Sequence, residues 1–180
     1  LPARAQDEFY DDPEMQEMTF KFEFSDDLNG YIISPNKYGG PDWDQEFQLY
    51  VPSIRLQDGK PVVGFSGFSS LKNLDGIFFP EKCHVKYICD NCFQYCDMLG
   101  TTEGLNLPES IETIGHYAFY SCTGLRSVNL SSNLKSIGVS AFEKCTSLES
   151  ITLPKSLKVI REFAFRNCAN FDNWGNFIGG

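Results

Sequence analysis

From Leu107 onward the chain repeats itself every 23 residues. Leu107, Leu130 and Leu153 fall in one column, and Ile114, Ile137 and Ile160 in another. Ala118-Phe119, Ala141-Phe142 and Ala164-Phe165 align next, followed by Cys122, Cys145 and Cys168. Leu125, Leu148 and Phe171, then Val128, Ile151 and Trp174, complete the rows. A period of this length marks a repeat architecture, in which one unit cannot bury its own apolar face and must stack on the next. The expectation is spatial: side chains 23 apart lie on top of one another as ladders, one coil per strand spacing of about 4.8 Å.

Two degenerate rows come first. One runs through Val63-Gly64, Gly67-Phe68, Leu71, Leu74, Ile77 and Phe79. The other runs through Ile88, Cys92, Phe93, Cys96, Leu99 and Leu105, stretched near Cys83-His84 and Thr101-Thr102. The rows therefore divide into about five coils: 51–78, 79–106, 107–129, 130–152 and 153–175. Within a row, Leu125-x-x-Val128-x-Leu130 reads as a short strand with Val128 and Leu130 inward. Pro80, Pro108 or Pro154 stops it, since proline donates no ladder hydrogen bond. A second extended piece ends at Ile114, and Gly115 or Gly138 supplies a turn. The spacing Ala-Phe-x-x-Cys-x-x-Leu predicts one or two turns of helix.

The row Leu107-Pro108-x-Ser110-Ile111-x-x-Ile114-Gly115-x-x-Ala118-Phe119-x-x-Cys122-x-x-Leu125-x-x-Val128 resembles the BspA-type leucine-rich repeat, over about 51–176. The resemblance implies an α/β chain folded as a curved right-handed leucine-rich-repeat solenoid. It also implies an exported bacterial protein at the cell surface or outside the cell. Some such proteins are adhesins for host matrix or other cells, and a lipid on an upstream cysteine would tether the chain. The first two coils depart from the pattern: Leu71 replaces the Cys, and Gly67 and Cys92 replace the Ala.

A solenoid needs its ends covered. Phe20, Phe22 and Phe24 alternate with polar residues, 25–30 is a turn and Tyr31-Ile32-Ile33 a return strand, so 19–50 reads as a β-hairpin cap laid on the first coil. Glu46 to Tyr50 reads as a strand leading into that coil. Residues 1–18 are acidic with prolines at 2 and 13, and read as a flexible leader. Residues 51–180 form the solenoid, where Trp174 and Phe177 cover the open end or the natural chain continues. Ala3-Arg4-Ala5 resembles the end of a signal segment whose apolar part this chain does not carry.

Composition narrows the chemistry. A net charge of −9 argues against nucleic acid, and no apolar run is long enough to span a membrane. Four of the seven cysteines, Cys96, Cys122, Cys145 and Cys168, share one inward column and read as reduced core thiols. Cys83, His84, Cys89 and Cys92 offer one C-x-x-C, but a zinc site wants a second ligand pair, so no metal is expected. A Cys83–Cys89 disulfide remains open. Asp26-Asp27-x-Asn29-Gly30 and Asp42-x-Asp44-x-Glu46 read as turn chemistry and edge charge. Neither His84 nor His116 has a nucleophile and an orienting acid at workable spacing, so neither an enzyme nor a cofactor is expected.

The remaining feature is the outward side of the strands. Asp75, Glu103, Arg126, Glu149 and Asp172 form one column; Phe78, Asn106, Asn129, Thr152 and Gly175 form another. They are expected to stand in register on a rigid face, with Arg126 in surface ion pairs. Phe78 is either an anchor for a partner or a stray surface aromatic. The functional expectation is a monomeric binding module that presents this face to a protein or glycan. The alternative is a structural component that docks through the open solenoid end.

Overall fold

Each repeat contributes two very short strands, and the two sets join different sheets. This computed structural model describes residues 12–36 and 45–168. In chain order the elements are α1 (Pro13–Thr19), β1 (Phe20–Ser25), β2 (Gly30–Pro35), β3 (Phe47–Tyr50), β4 (Val62–Phe65) and β5 (Leu74–Phe78). Then come β6 (Tyr87–Ile88), β7 (Leu105–Asn106), β8 (Thr113–Ile114), β9 (Ser127–Asn129), β10 (Ser136–Ile137), β11 (Ser150–Ile151) and β12 (Val159–Ile160). The Ile114-type strands build a seven-stranded sheet of order β1-β2-β4-β6-β8-β10-β12, parallel from β2 onward. The Val128-type strands form two smaller parallel sheets, β3-β5 and β7-β9-β11.

The register is the one that the 23-residue period dictates: Ile88 faces Ile114, Ile114 faces Ile137 and Ile137 faces Ile160. Between the sheets the phenylalanine column is a continuous stack. Ring centroids are 5.5 Å apart for Phe93–Phe119, 5.1 Å for Phe119–Phe142 and 5.4 Å for Phe142–Phe165, with planes within 10°. Phe68 extends the stack from the first degenerate row at 5.4 Å. Each pair adds about 0.5–1.5 kcal/mol beyond the area it buries.

The helical turns expected at Ala-Phe-x-x-Cys do not form. In their place, left-handed residues recur at fixed rows: Asn91, Tyr117, Ser140 and Phe163 at one, and Tyr95, Ser121, Lys144 and Asn167 at another, with φ between 53° and 62°. A left-handed residue reverses the peptide direction, so N–H groups turn out of the coil and toward the next one. Tyr117, Phe119 and Ser121 each donate to the carbonyls of Val139, Ala141 and Glu143 at 2.8 Å. Asn91, Phe93 and Tyr95 bond the following coil in the same way at 2.7–2.9 Å. This third inter-coil ladder satisfies backbone groups that a helix would have paired internally, and it offsets the strain of left-handed non-glycine residues.

The cysteine column completes the turn. Cys96, Cys122, Cys145 and Cys168 donate their thiol protons to the carbonyls of Phe68, Phe93, Phe119 and Phe142, one coil back, at 3.1–3.2 Å. Cysteine suits the position as a small apolar side chain that still carries a donor. All seven cysteines are free thiols, so the Cys83–Cys89 bridge left open above is not made.

The segment read as a leader is partly ordered. Asp12 caps α1, accepting from the Glu14 N–H at 2.8 Å, and Pro13 sits in the first turn. Gln16 is buried and bonds both Ile54 and Leu56 through the backbone. Arg55 bonds Glu17 at 2.8 Å and the Tyr31 hydroxyl at 2.9 Å, and its guanidinium lies over Phe22 and Tyr31. The hairpin sits against the first coil, with Phe20 buried and edge-on to Phe68. It adds edge to edge, through the parallel pairing of β2 with β4. Residues 1–11, Asp42, Asp44, Phe171, Asp172, Trp174, Gly175 and Phe177 lie outside the described residues.

Two predictions follow from the stacking. A Cβ on Gly138 would lie 2.5 Å from the Gly115 carbonyl carbon and from the His116 nitrogen, both backbone. Gly138→Ala should therefore cost at least about 2 kcal/mol in urea unfolding, because successive coils would have to separate. Burial pushes the Cys96 thiol up to about 12, and pushes Cys92, Cys122 and Cys145 well above the ordinary thiol value. The unfolded chain loses these protons near pH 8.5, so this stability is present below about pH 8.5 and declines as pH rises toward the folded values, by up to about 1.4 kcal/mol per pH unit for each thiol. Urea midpoints measured from about pH 7 to about pH 10.5 should fall steeply above pH 8.5, and less steeply in Cys122→Ala.

Candidate functional site

The outward side of β5, β7, β9 and β11 carries the expected rows. Glu103, Asn106, Arg126, Asn129, Glu149 and Thr152 are all exposed. Asn129 donates from Nδ2 to Asn106 Oδ1, one coil back, at 2.5 Å. The expected ion pairs of Arg126 with Glu103 and Glu149 are not made: none of the ion pairs among the described residues includes Arg126.

Asp75 does not belong to that exposed row. It is 6% exposed, and its Oδ1 accepts from the hydroxyls of Thr101 at 2.8 Å and Thr102 at 3.1 Å. Its backbone carbonyl also accepts from the Gly100 N–H at 2.7 Å. The physical reason is the insertion at Thr101-Thr102. The extra residues fold back over β5 and enclose the carboxylate, which then needs hydroxyl donors to offset the loss of water.

The same insertion opens a groove. β5 and β7 belong to separate sheets, and between them lies a cleft of about 370 Å³. Its walls include Gln48, Phe78, Thr102, Glu103 and Asn106, with Gly76 and Ile77 from β5 also lining it. Phe78 is 36% exposed and stacks on Tyr50, centroids 5.1 Å apart and planes 20° from parallel. Its ring leans back over Gly76, where a Cβ would sit 3.2 Å from Phe78 Cε2. Gly76 thus leaves room for the ring to lie against the strand. The lining residues include the carboxylates of Asp75 and Glu103 but neither lysine nor arginine.

Sequence reasoning singled out Phe78, Glu103 and Asn106 but not Tyr50, Gln48 or Thr102. The strand 47–50 was legible, but its pairing with β5 was not, because Phe47 faces Leu74 and the register then shifts by one residue. Other candidates lack chemistry. His84 is exposed and Cys83 half-buried, and burial pushes the Cys83 thiol up, the wrong direction for a nucleophile. Among the described residues no group of three His, Cys, Asp or Glu side chains could hold a metal ion, and no helix is long and apolar enough to cross a membrane. A second aromatic surface lies on the turns, where Tyr95 and Tyr117 are exposed and both meet the Tyr120 ring edge-on.

Comparison with known proteins agrees with this architecture. Residues 87–174 match the family model for the BspA type leucine rich repeat region, in six copies. A leucine rich repeat protein from T. pallidum is similar at 30% identity and TM-score 0.72, over 86% of this chain and 66% of that one. A leucine-rich repeat protein from Bacteroides ovatus is 26% identical, with TM-score 0.67, over 84% of this chain and 38% of that one. The pneumococcal vaccine antigen PcpA shares the fold at 21% identity and TM-score 0.60, over 84% of this chain and 46% of that one. The chain thus spans only part of each of these three proteins. No match was found among curated proteins.

The groove depends on Asp75 holding the inserted residues. Asp75→Ala should cost about 1–3 kcal/mol in urea unfolding, the penalty for two hydroxyls left without their charged acceptor. Limited proteolysis should cut the variant within 100–104 faster than the parent. Asp75→Asn keeps one acceptor oxygen and should lie between the two.

Proposed function

Because the chain belongs to the BspA-type leucine-rich repeat family, we propose that it is a non-catalytic binding module, a right-handed solenoid of about five coils that works as a monomer at the bacterial cell surface. Its working surface is the outward side of β5, β7, β9 and β11, and its partner is a protein or glycan, host extracellular matrix included. The observation that carries this reading is the groove beside Phe78, a concave site with an exposed aromatic wall on an otherwise polar, in-register face. Aromatic anchors in such settings supply most of the energy of an interface, and stacked repeats present extended surfaces of this kind. The exposed Arg126, Glu149 and Thr152 extend the contact beyond the groove.

The test is a binding screen against immobilised matrix proteins and a glycan array, repeated with three variants. Phe78→Ala should weaken binding at least about tenfold, the loss expected for one aromatic anchor. Arg126→Glu should weaken it less, and Tyr117→Ala, on the turn surface, should leave it unchanged. Binding that survives the first two substitutions and fails with the third would move the site off this face.

A further inference from the structure

We infer that the groove between β5 and β7 takes an arginine side chain presented by a basic segment of a protein partner. This rests on the reading above that the β5–β11 face is the binding surface, and it names the chemistry of the partner. The first observation is a comparison within the chain. Several of its rings are covered by cations of its own: Arg55 lies over Phe22 and Tyr31, Lys60 over Phe24, Lys144 over Tyr120 and Arg166 over Phe163. Phe78 is exposed, and among the described residues no cation lies over its ring. Tyr50 covers it on one side, and the groove lies against the ring.

The second observation is what a filled site looks like. Arg166 lies 4.3 Å over the Phe163 ring while its Nε and Nη2 bond Glu143 Oε1 at 2.8 Å and 2.5 Å. Ring, guanidinium and carboxylate form one unit. At the groove the ring and the carboxylate are present as Phe78 and Glu103, and the lining residues supply no guanidinium.

The third observation is the sign of the lining, whose only ionisable side chains, Asp75 and Glu103, are both acids. Thr102 spends its hydroxyl proton on Asp75, and both Asp75 and Glu103 are acceptors when ionised. A sugar brings as many acceptors as donors, whereas arginine brings five donors and no acceptor. Its flat guanidinium can stack on Phe78 while forking to Glu103, which the ammonium of lysine cannot do. A cleft of about 370 Å³ is at the small end for a ligand site, in keeping with a side chain. The net charge of −9 steers a basic segment toward the chain.

The probe is acetyl-Gly-Gly-Arg-Gly-Gly-amide, with its lysine and citrulline counterparts, titrated into ¹⁵N-labelled protein at low salt. The arginine peptide should shift the amides of Gly76, Phe78, Gly104 and Asn106, with lysine about tenfold weaker and citrulline without effect. Phe78→Ala and Glu103→Gln should each weaken the arginine peptide about tenfold, and Glu162→Gln, an exposed acid on a turn, should not. Equal shifts from citrulline, no loss in Phe78→Ala, or equal losses in Glu103→Gln and Glu162→Gln would overturn the inference. If maltotriose shifts these amides and the arginine peptide does not, the inference fails while the face stands. If shifts gather instead at Tyr95 and Tyr117, the face fails with it.

Discussion

Every coil of this chain must pass its backbone hydrogen bonds to the coil before and after it. Among the described residues no coil contains a helix, and the strands are two or three residues long through most of the repeats, so little pairing is available inside a coil. Three lines of inter-coil bonds result: the long sheet, the smaller sheets, and the turn ladder running through Tyr117, Phe119 and Ser121. Bonds of this kind hold neighbouring backbones at one fixed separation. That separation explains why Phe119, Phe142 and Phe165 stack nearly parallel, and why Gly115 and Gly138 tolerate no side chain where they meet. The core columns are uniform because the spacing between coils is uniform.

The candidate site arises where this uniformity lapses. The extra residues around Thr101 keep β5 out of the sheet that β7 begins, and Asp75 is drawn inward to hold them. A cleft is left between two strands that elsewhere would have been bonded neighbours. Its aromatic wall is completed by β3, an element outside the repeats, whose Tyr50 backs Phe78. A repeat array with no interruption would offer a flat face at this point. The irregular second row is therefore what gives the molecule a concave feature.

Over the described residues the inward columns were legible in the sequence, because a buried position at fixed spacing admits few residue types. The phenylalanine and cysteine columns, the register of the long sheet and the hairpin strands all followed from periodicity and alternation. The turn ladder was not legible, since the left-handed row holds Asn91, Tyr117, Ser140 and Phe163, four residue types with nothing in common but their backbone angle. The Ala-Phe-x-x-Cys spacing suits a helix equally well, and only the bonds to the next coil decide against it. Helix α1 was hidden by its acidic composition, although Asp12-Pro13 is a recognisable helix start. Asp75 was misplaced because column counting cannot tell that an insertion one coil later will fold over a residue. At the site, Phe78, Glu103 and Asn106 came from outward alternation, while Tyr50 required a pairing across a register shift.

The inter-coil bonds also have a mechanical meaning. They link one coil to the next along the stack, so tension between the two ends loads the coil interfaces in series, and the weakest junction yields before the others. Between β5 and β7 the small-sheet ladder is missing, and that junction relies on the long sheet, the turn bonds and the stacked rings. Under load the junction at the groove has one line of bonds fewer to share the tension than the β7–β9 and β9–β11 junctions.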